Sequence, residues 1–392
     1  MITQKFNDIF TLDALLKGHY KGRISKRQKR PIIRFEISML ENIYSIYNKL
    51  QSGRYKVGRY NSFVIYEPKQ REIQTLHYSD RIVQHVLCDD VLMPYFSKRA
   101  ILDNCVCQIG KGTHFALKRF ETSMRKFIKK YGNNGYILKC DTAKYFPSMP
   151  HSLLKQTFGS HIQDEQLKQM IYNIIDSFHT NPQYLAKHNI KPLYKRIPTC
   201  EDEKFLTERG IPIGNQTSQV FGMFYLDKID RLIKEKLRIK IYSRYMDDFV
   251  IVHNDKEFLK YVLKVIKQQV VNMGLNLNEK TQIFPIKNGL TYLGFRYQVT
   301  DTGKLLKKVS KKTVKRFCSR AKLLNRAYAD DVIDITRVAQ SLAAYNGHLK
   351  HGNCYKLHQN LLKRIKVAEI AKQKIEKLKE LELLEKENYG TT

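Results

Sequence analysis

The stretch RYMDDFVIVH, Arg244 to His253, puts two adjacent aspartates between a Tyr-Met pair and a run of aromatic and β-branched residues. Strand interiors are poor in aspartate. The pair is therefore read as the turn of a hairpin, with IKIYSRY (239–245) entering and FVIVHN (249–254) leaving. Upstream, GYILKCDTAKYF (135–146) reads as a strand that ends in Asp141. If the two elements share a sheet, three carboxylates meet at one edge. Like charges brought to ~4 Å repel by about 4 kcal/mol per pair at an effective dielectric of ~20. Such a cluster becomes favourable with hard divalent cations, and Mg²⁺ takes a few carboxylates plus substrate phosphates. An isolated Asp-Asp is ordinarily a solvated turn, and Asp89-Asp90 is read as an exposed helix face. The apolar flanks of Asp247-Asp248 set that pair apart.

Charge narrows the chemistry. Seventy Lys and Arg against 37 Asp and Glu give +33 over 392 residues, which predicts a polyanionic partner, most simply nucleic acid. The bases are blocked. Lys17 to Arg30 holds seven and no acid, and ten lie between Asp301 and Asp330 with none. Arg27, Lys29, Arg30, Lys307, Lys308, Lys311, Lys312, Lys315 and Arg316 are the expected nucleic-acid contacts. Two ions on a carboxylate cluster stabilise the attacking and leaving oxygens of a phosphoryl displacement. Together these features predict a nucleotidyl transferase or a nuclease. The 42% hydrophobic content fits a folded chain. No apolar run reaches the ~20 residues of a membrane span, and the N-terminus does not read as a signal peptide. The seven scattered cysteines read as reduced thiols of a cytoplasmic protein, neither a disulfide frame nor a zinc site.

Periodicity predicts an α+β chain. Helices are expected over 35–52, 79–96, 111–131, 151–177 and 256–273, with another after the Gly/Pro loop at 209. A β-hairpin is expected over 58–78 around Pro68-Lys69-Gln70-Arg71. Residues 178–209 read as irregular. From about 309 the chain reads as helical, ending in a Lys/Glu-rich helix over 356–387.

Seven segments in order resemble the reverse transcriptases: PKQREI with DRIVQHVL (68–87), GKGTHFAL, KCDTAKYFPSM, GIPIGNQTSQ (210–219), YMDD, LNLNEKT (275–281) with YLGF (292–295), and AAYNGHLKHGN (343–353). The resemblance implies a right-hand polymerase, with fingers and palm over 1–303 and a basic helical thumb over 304–392. By the same resemblance Asp141, Asp247 and Asp248 hold two Mg²⁺, with Mn²⁺ as a substitute. Lys69 and Arg71 face the triphosphate, Phe146 is the gate against a ribose 2′-OH, and Lys280 lies near the leaving pyrophosphate. Ile213, Gly214 and Gln219 pack against the incoming nucleotide, and Tyr292, Leu293, Gly294 and Phe295 grip the primer. The implied partners are dNTPs, a structured non-coding template RNA and its RNA–DNA heteroduplex, with an accessory protein or a second copy as a further partner and no membrane. Intron and retron enzymes usually carry Gln and Ser-Pro in the 210–219 region, where this chain has Ile213 and Ser218-Gln219. That pattern resembles bacterial diversity-generating and antiphage-defence enzymes. With no zinc, HNH or RNase H tail expected after the thumb, a domesticated enzyme serving one RNA is favoured over a self-mobilising intron. A nuclease and a non-catalytic RNA-binding protein are the rivals.

Overall fold

The strand FVIVH is buried along its middle because it has a neighbour on each side. In the computed structural model, β5 (Asp248–His253) lies between β4 (Ile241–Tyr245) and β3 (Tyr136–Asp141), antiparallel to both. Phe249 to Val252 are all buried, as expected for a strand covered on both faces. The structure describes residues 1–66, 69–191, 193 and 207–365, together with 370, 371, 373, 376, 377 and 380. The chain divides into two compact units, Met1–Phe120 with Tyr136–Ile283, and Glu121–Gly135 with Phe284–Thr392.

The first unit opens with α1 (Phe6–Ile9), α2 (Leu12–Arg23), α3 (Arg30–Ile37) and α4 (Met39–Gln51), followed by the hairpin β1 (Asn61–Ile65) and β2 (Arg71–Thr75). Then come α5 (Tyr78–Val86), a π-helical stretch Leu87–Leu92, α6 (Met93–Arg99) and the start of α7 (Thr113–Tyr131). After β3 follow α8 (Tyr145–Ser148), α9 (His151–Gly159), α10 (Glu165–Asp176), α11 (Pro182–Lys187), α12 (Gln216–Tyr225) and α13 (Asp227–Arg231). The hairpin β4–β5, α14 (Lys256–Asn272) and β6 (Gln282–Pro285) complete it, with the unit boundary inside β6. The main sheet runs β4-β5-β3-β6. Its core is aromatic: Phe96 meets Phe224 at 4.4 Å and Phe158 meets Phe221 at 4.7 Å between ring centres. Aromatic pairs of this kind add about 0.5–1.5 kcal/mol each beyond area burial.

The second unit holds the sheet β7 (Leu290–Tyr292), β8 (Phe295–Val299) and β9 (Leu305–Val309), then α15 (Lys311–Ala329), α16 (Ile335–Leu349) and α17 (Tyr355–Leu362). Its buried side chains include Phe127, Tyr297, Phe317, Leu324 and Leu342. Among the described residues no helix is long and apolar enough to cross a membrane.

Several expectations need correction. The helix over 35–52 breaks at Ser38, where Asn42 Nδ2 donates to the Phe35 carbonyl at 3.0 Å and replaces a ladder bond. The 151–177 helix is two, interrupted between Gly159 and Glu165. The strand in 135–146 does end at Asp141, as expected, and a short helix opens after it at Tyr145. Residues 178–209 contain α11, while 192 and 194–206 lie outside the described residues. Residues 304–309, expected to open a helical thumb, include β9, because Leu305 and Val309 are buried ends of a strand paired to β8. Asp89, expected to be exposed, is half-buried and accepts from Gln216 Nε2 at 2.5 Å. The helix expected over 356–387 is interrupted: α17 ends at Leu362, 363–365 are not helical, and the described residues between 370 and 380 are helical again, while most of 366–392 lies outside the described residues.

Candidate active site

Sheet register assembles the carboxylates. Asp141, the last residue of β3, pairs with Asp248, the first of β5, and Tyr245 pairs with Asp248 across the hairpin. The loop is therefore Met246-Asp247. Of these two only Met246 has positive φ, at 60°. That is the type II′ pattern, whose first central position normally takes glycine. A branchless but Cβ-bearing methionine there stores strain of the kind found at functional sites, about 1–3 kcal/mol.

Arg244 holds the strained turn. Its Nη1 donates to the Met246 carbonyl at 2.9 Å and its Nη2 to the Met223 carbonyl at 2.8 Å. Its Nε donates to Asp230 Oδ1 at 2.7 Å, and both side chains are fully buried. Tyr242 donates to the same Asp230 oxygen at 2.6 Å. Burial pulls the Arg244 guanidinium down, but the Asp230 carboxylate outweighs it and holds the group above its ordinary value.

The carboxylates are mutually strained. Burial first, then the charge of Asp141, pushes Asp247 up to about 6. Burial raises Asp141, against the pull of Lys139, Lys69 and Lys280. Asp248 is raised by burial against Lys139, whose Nζ lies 3.3 Å from Oδ2. Asp248 Oδ1 is buried without a hydrogen-bond partner among the described residues. Among those residues no three Asp, Glu, His or Cys side chains are gathered to hold a metal. Like charges at this edge repel, and Lys139 offsets one of them.

The bases expected around the triphosphate surround this edge. The Lys69 charge opposes the upward shift of Asp141, and that of Arg71, at the start of β2, opposes the upward shift of Asp247. The segment after Gly274 is strapped to β3, with Asn278 N–H donating to the Asp141 carbonyl at 2.7 Å and Ala143 N–H to the Asn276 carbonyl at 2.8 Å. This strap brings the Lys280 charge to Asp141. Phe146 sits in α8, and a Cβ on Gly222 of α12 would come within 3.1 Å of its ring and 2.9 Å of Met246 Sδ. Gly222 therefore allows Phe146, α12 and the carboxylate turn to close on one another.

The loop before α12 docks on the fingers-like hairpin through backbone. Gln74 N–H donates to the Ile213 carbonyl at 2.9 Å, and Ile213 N–H donates to Gln74 Oε1 at 3.2 Å. Gly214 has φ 141°, and a Cβ there would overlap the Gln74 carbonyl. Gln219 is exposed on α12, its Oε1 accepting from Cys107 Sγ at 3.7 Å.

The remaining expected residues lie on the following elements. In the second unit, Tyr292 and Phe295 are buried partners across β7–β8, and Leu293-Gly294 form a two-residue turn with φ 46° and 88°. Both angles are positive, as a type I′ turn requires. Lys308, Lys311, Lys312 and Lys315 are exposed and Arg316 is half-buried. Lys307 differs, because its Nζ bonds Glu121 Oε2 at 2.9 Å. In the first unit, Lys29 and Arg30 are exposed, while Arg27 pairs with Glu36 at 3.4 Å.

Sequence reading missed Lys139, Arg244, Asp230, Gln74 and Gly222. Lys139 was findable, since it lies two residues before Asp141 and shares its strand face. Arg244 and Asp230 carried no signal, because their pairing joins separate elements.

A family model described as reverse transcriptase (RNA-dependent DNA polymerase) matches residues 24–297. A COX1/OXI3 intron 2 protein of Saccharomyces cerevisiae is 23% identical over 207 residues, covering 42% of this chain and 24% of that protein. Apo telomerase from Candida tropicalis, truncated from its C-terminal domain, superposes with TM-score 0.43 at 14% identity, covering 69% of this chain and 60% of that one. Telomerase from Candida albicans, solved with a fragment of telomeric RNA, gives 0.44 at 15%, covering 81% and 59%. The chain thus spans about a quarter of the intron protein and about three fifths of each telomerase chain.

Proposed function

The chain belongs to the reverse transcriptase (RNA-dependent DNA polymerase) family, and on that premise we propose that it copies a dedicated partner RNA into DNA. The observation that carries the reading is the register Asp141–Asp248 with Asp247 in the adjoining strained turn, inside the matched residues. The site fits divalent metal. All its donors are carboxylate oxygens, Asp248 Oδ1 is an orphaned buried acceptor, and Asp247 is raised by a neighbouring negative charge. Mg²⁺ is commonly held by one or two carboxylates plus substrate phosphates, so a ready cage is not required. Asp141, Asp247 and Asp248 would hold the ions, whose charge supports the oxygens of an in-line displacement.

The chain's own residues do the rest. Lys69 and Arg71 offset triphosphate charge, and Lys280 does so on the pyrophosphate side. Arg244 keeps the Asp247 backbone in place, and Phe146 closes the sugar side. Gly214 lets backbone approach the nucleotide. The primer 3′-OH attacks the α-phosphate and pyrophosphate leaves. Fingers and palm correspond to 1–303 and the thumb to 304–392, where exposed lysines would follow nucleic-acid phosphates. The test is incorporation of dNTPs on an RNA template with a DNA primer, in Mg²⁺ and in Mn²⁺. Absence of incorporation in both would sink the polymerase reading.

The Ile213 and Ser218-Gln219 pattern supports a bacterial setting, either antiphage defence or diversity generation. Ile213 has only an alkyl group to offer a base pair. Shape contact of that kind discriminates by ~1–3 kcal/mol, far less than a directed hydrogen bond. Deep sequencing of products from wild type and Ile213→Gln separates the two settings, and coincident error spectra remove the support for diversity generation. An intron RNA as template is the second reading, favoured by the yeast relative. Sequencing the RNA that copurifies decides between them.

A further inference from the structure

The second unit contains a groove of about 790 Å³ where the end of β9, the first turn of α15 and the start of α17 meet. Its rim carries Lys308, Lys311, Lys315 and Lys356, and no carboxylate lines it. All four lysines are exposed. Val309, Val314 and Leu357 form an apolar floor. At its edge Tyr355 stands 77% exposed, which places it among the most exposed large aromatic residues of the described chain.

Two features are hard to reconcile with an idle surface. Four like charges around one groove repel, and only an anion relieves them. An exposed tyrosine beside a concave apolar floor offers a ring face that water gains nothing from. A small anion would use the lysines and leave the ring unused. The basic track also continues: α15 carries seven Lys and Arg and no acid over its length. A chain-like polyanion with flat apolar faces satisfies both features. Single-stranded nucleic acid has this character, because bases stack on aromatic rings while phosphates follow lysines.

We propose that this groove binds single-stranded RNA, with phosphates on Lys308, Lys311, Lys315 and Lys356 and a base stacked on Tyr355. The proposal rests on the reading of the chain as an enzyme that uses an RNA template, and assigns the groove to unpaired template rather than to heteroduplex.

The test uses the full chain and a fluorescent single-stranded oligoadenylate, followed by anisotropy over a range of salt. Tyr355→Ala should weaken binding about tenfold with little change in salt slope. Tyr355→Phe should bind as wild type, because stacking needs the ring and not the hydroxyl. Lys356→Gln should lower the log–log salt slope by roughly 0.7. Photocrosslinking of a 4-thiouridine RNA should map to the peptide carrying Tyr355. Wild-type affinity in Tyr355→Ala, or equal losses in Phe and Ala, would overturn the proposal. So would a polyglutamate peptide that loses affinity in Tyr355→Ala when oligoadenylate does not, since the groove would then be a peptide site. Lys356→Gln, at an exposed position, keeps the test informative should Tyr355→Ala fail to fold. Wild-type dNTP incorporation checks the polymerase reading separately: incorporation together with an unaltered Tyr355→Ala affinity refutes the groove alone.

Discussion

At the scale of single residues, the site is defined by groups held where they are uncomfortable. Asp247 has a folded value of about 6 against an ordinary 3.8. A carboxylate raised on folding destabilises the fold when ionised. That cost is fully present above pH 6 and vanishes below about pH 4. Asp247→Asn should therefore raise metal-free stability at pH 7 by about 1–3 kcal/mol and leave it unchanged at pH 4, as read by thermal melts. Combined with Asp248→Asn it should abolish dNTP incorporation while leaving RNA binding nearly intact, and persistent incorporation would contradict the assigned roles. Incorporation by the wild type should need more Mg²⁺ as the pH falls, because protons compete with the metal for Asp247. Arg244 acts differently. Arg244→Met leaves Asp230 as an uncompensated buried charge and should cost about 3–5 kcal/mol of stability. Adding Asp230→Leu should restore much of the melting temperature, because an apolar pair replaces an ionic one. It should not restore incorporation, because the Met246 carbonyl still lacks its donor. Full recovery of activity in the double variant would show that the clamp is only structural.

At the scale of elements, function depends on turns and on faces. The docking of the 210–215 loop on β2 admits no side chain at Gly214, where φ is 141° and the Gln74 carbonyl blocks a Cβ. Gly214→Ala should cost about 1–3 kcal/mol and raise the KM for dNTPs more than it lowers affinity for RNA. Steady-state kinetics beside filter binding checks this, and an unchanged KM would separate the loop from the nucleotide. On α15, replacing Lys311, Lys312, Lys315 and Arg316 with Gln should weaken RNA binding. The log–log salt slope should fall by roughly 0.7–0.9 for each phosphate that the variant no longer neutralises. An identical slope would mean that this face meets solvent. The two hairpin turns show what a sequence can reveal about an element. Leu293-Gly294 advertises its turn with a glycine at positive φ. Met246-Asp247 does not, and was recognisable only from its flanking strands.

At the scale of the whole molecule, a charge of +33 predicts a polyanionic partner before any fold is known. The segment KVAEIAKQKIEKLKELELLEKEN (366–388) departs from that bias, alternating acids and bases with a stripe of Ile and Leu. Most of it lies outside the described residues. Its i, i+4 pairs are sufficient to support a solvated helix, so a chain truncated after Lys366 should keep its mass in light scattering, and a lower mass would identify the segment as a self-association surface. The sequence by itself determined the α+β class, the family and the three aspartates at strand ends, and its charge predicts a polyanionic partner. Those properties are local: apolar period, turn residues and charge density are written within a few positions of one another. Tertiary structure alone decided that Asp141 faces Asp248, that Arg244 and Asp230 brace the turn between them, that Lys307 is engaged by Glu121, and that Tyr355 borders a lysine groove. Each of these joins residues from different elements. Register, burial and the sign of the local field are properties of packing, and packing energy depends on neighbours that periodicity cannot name.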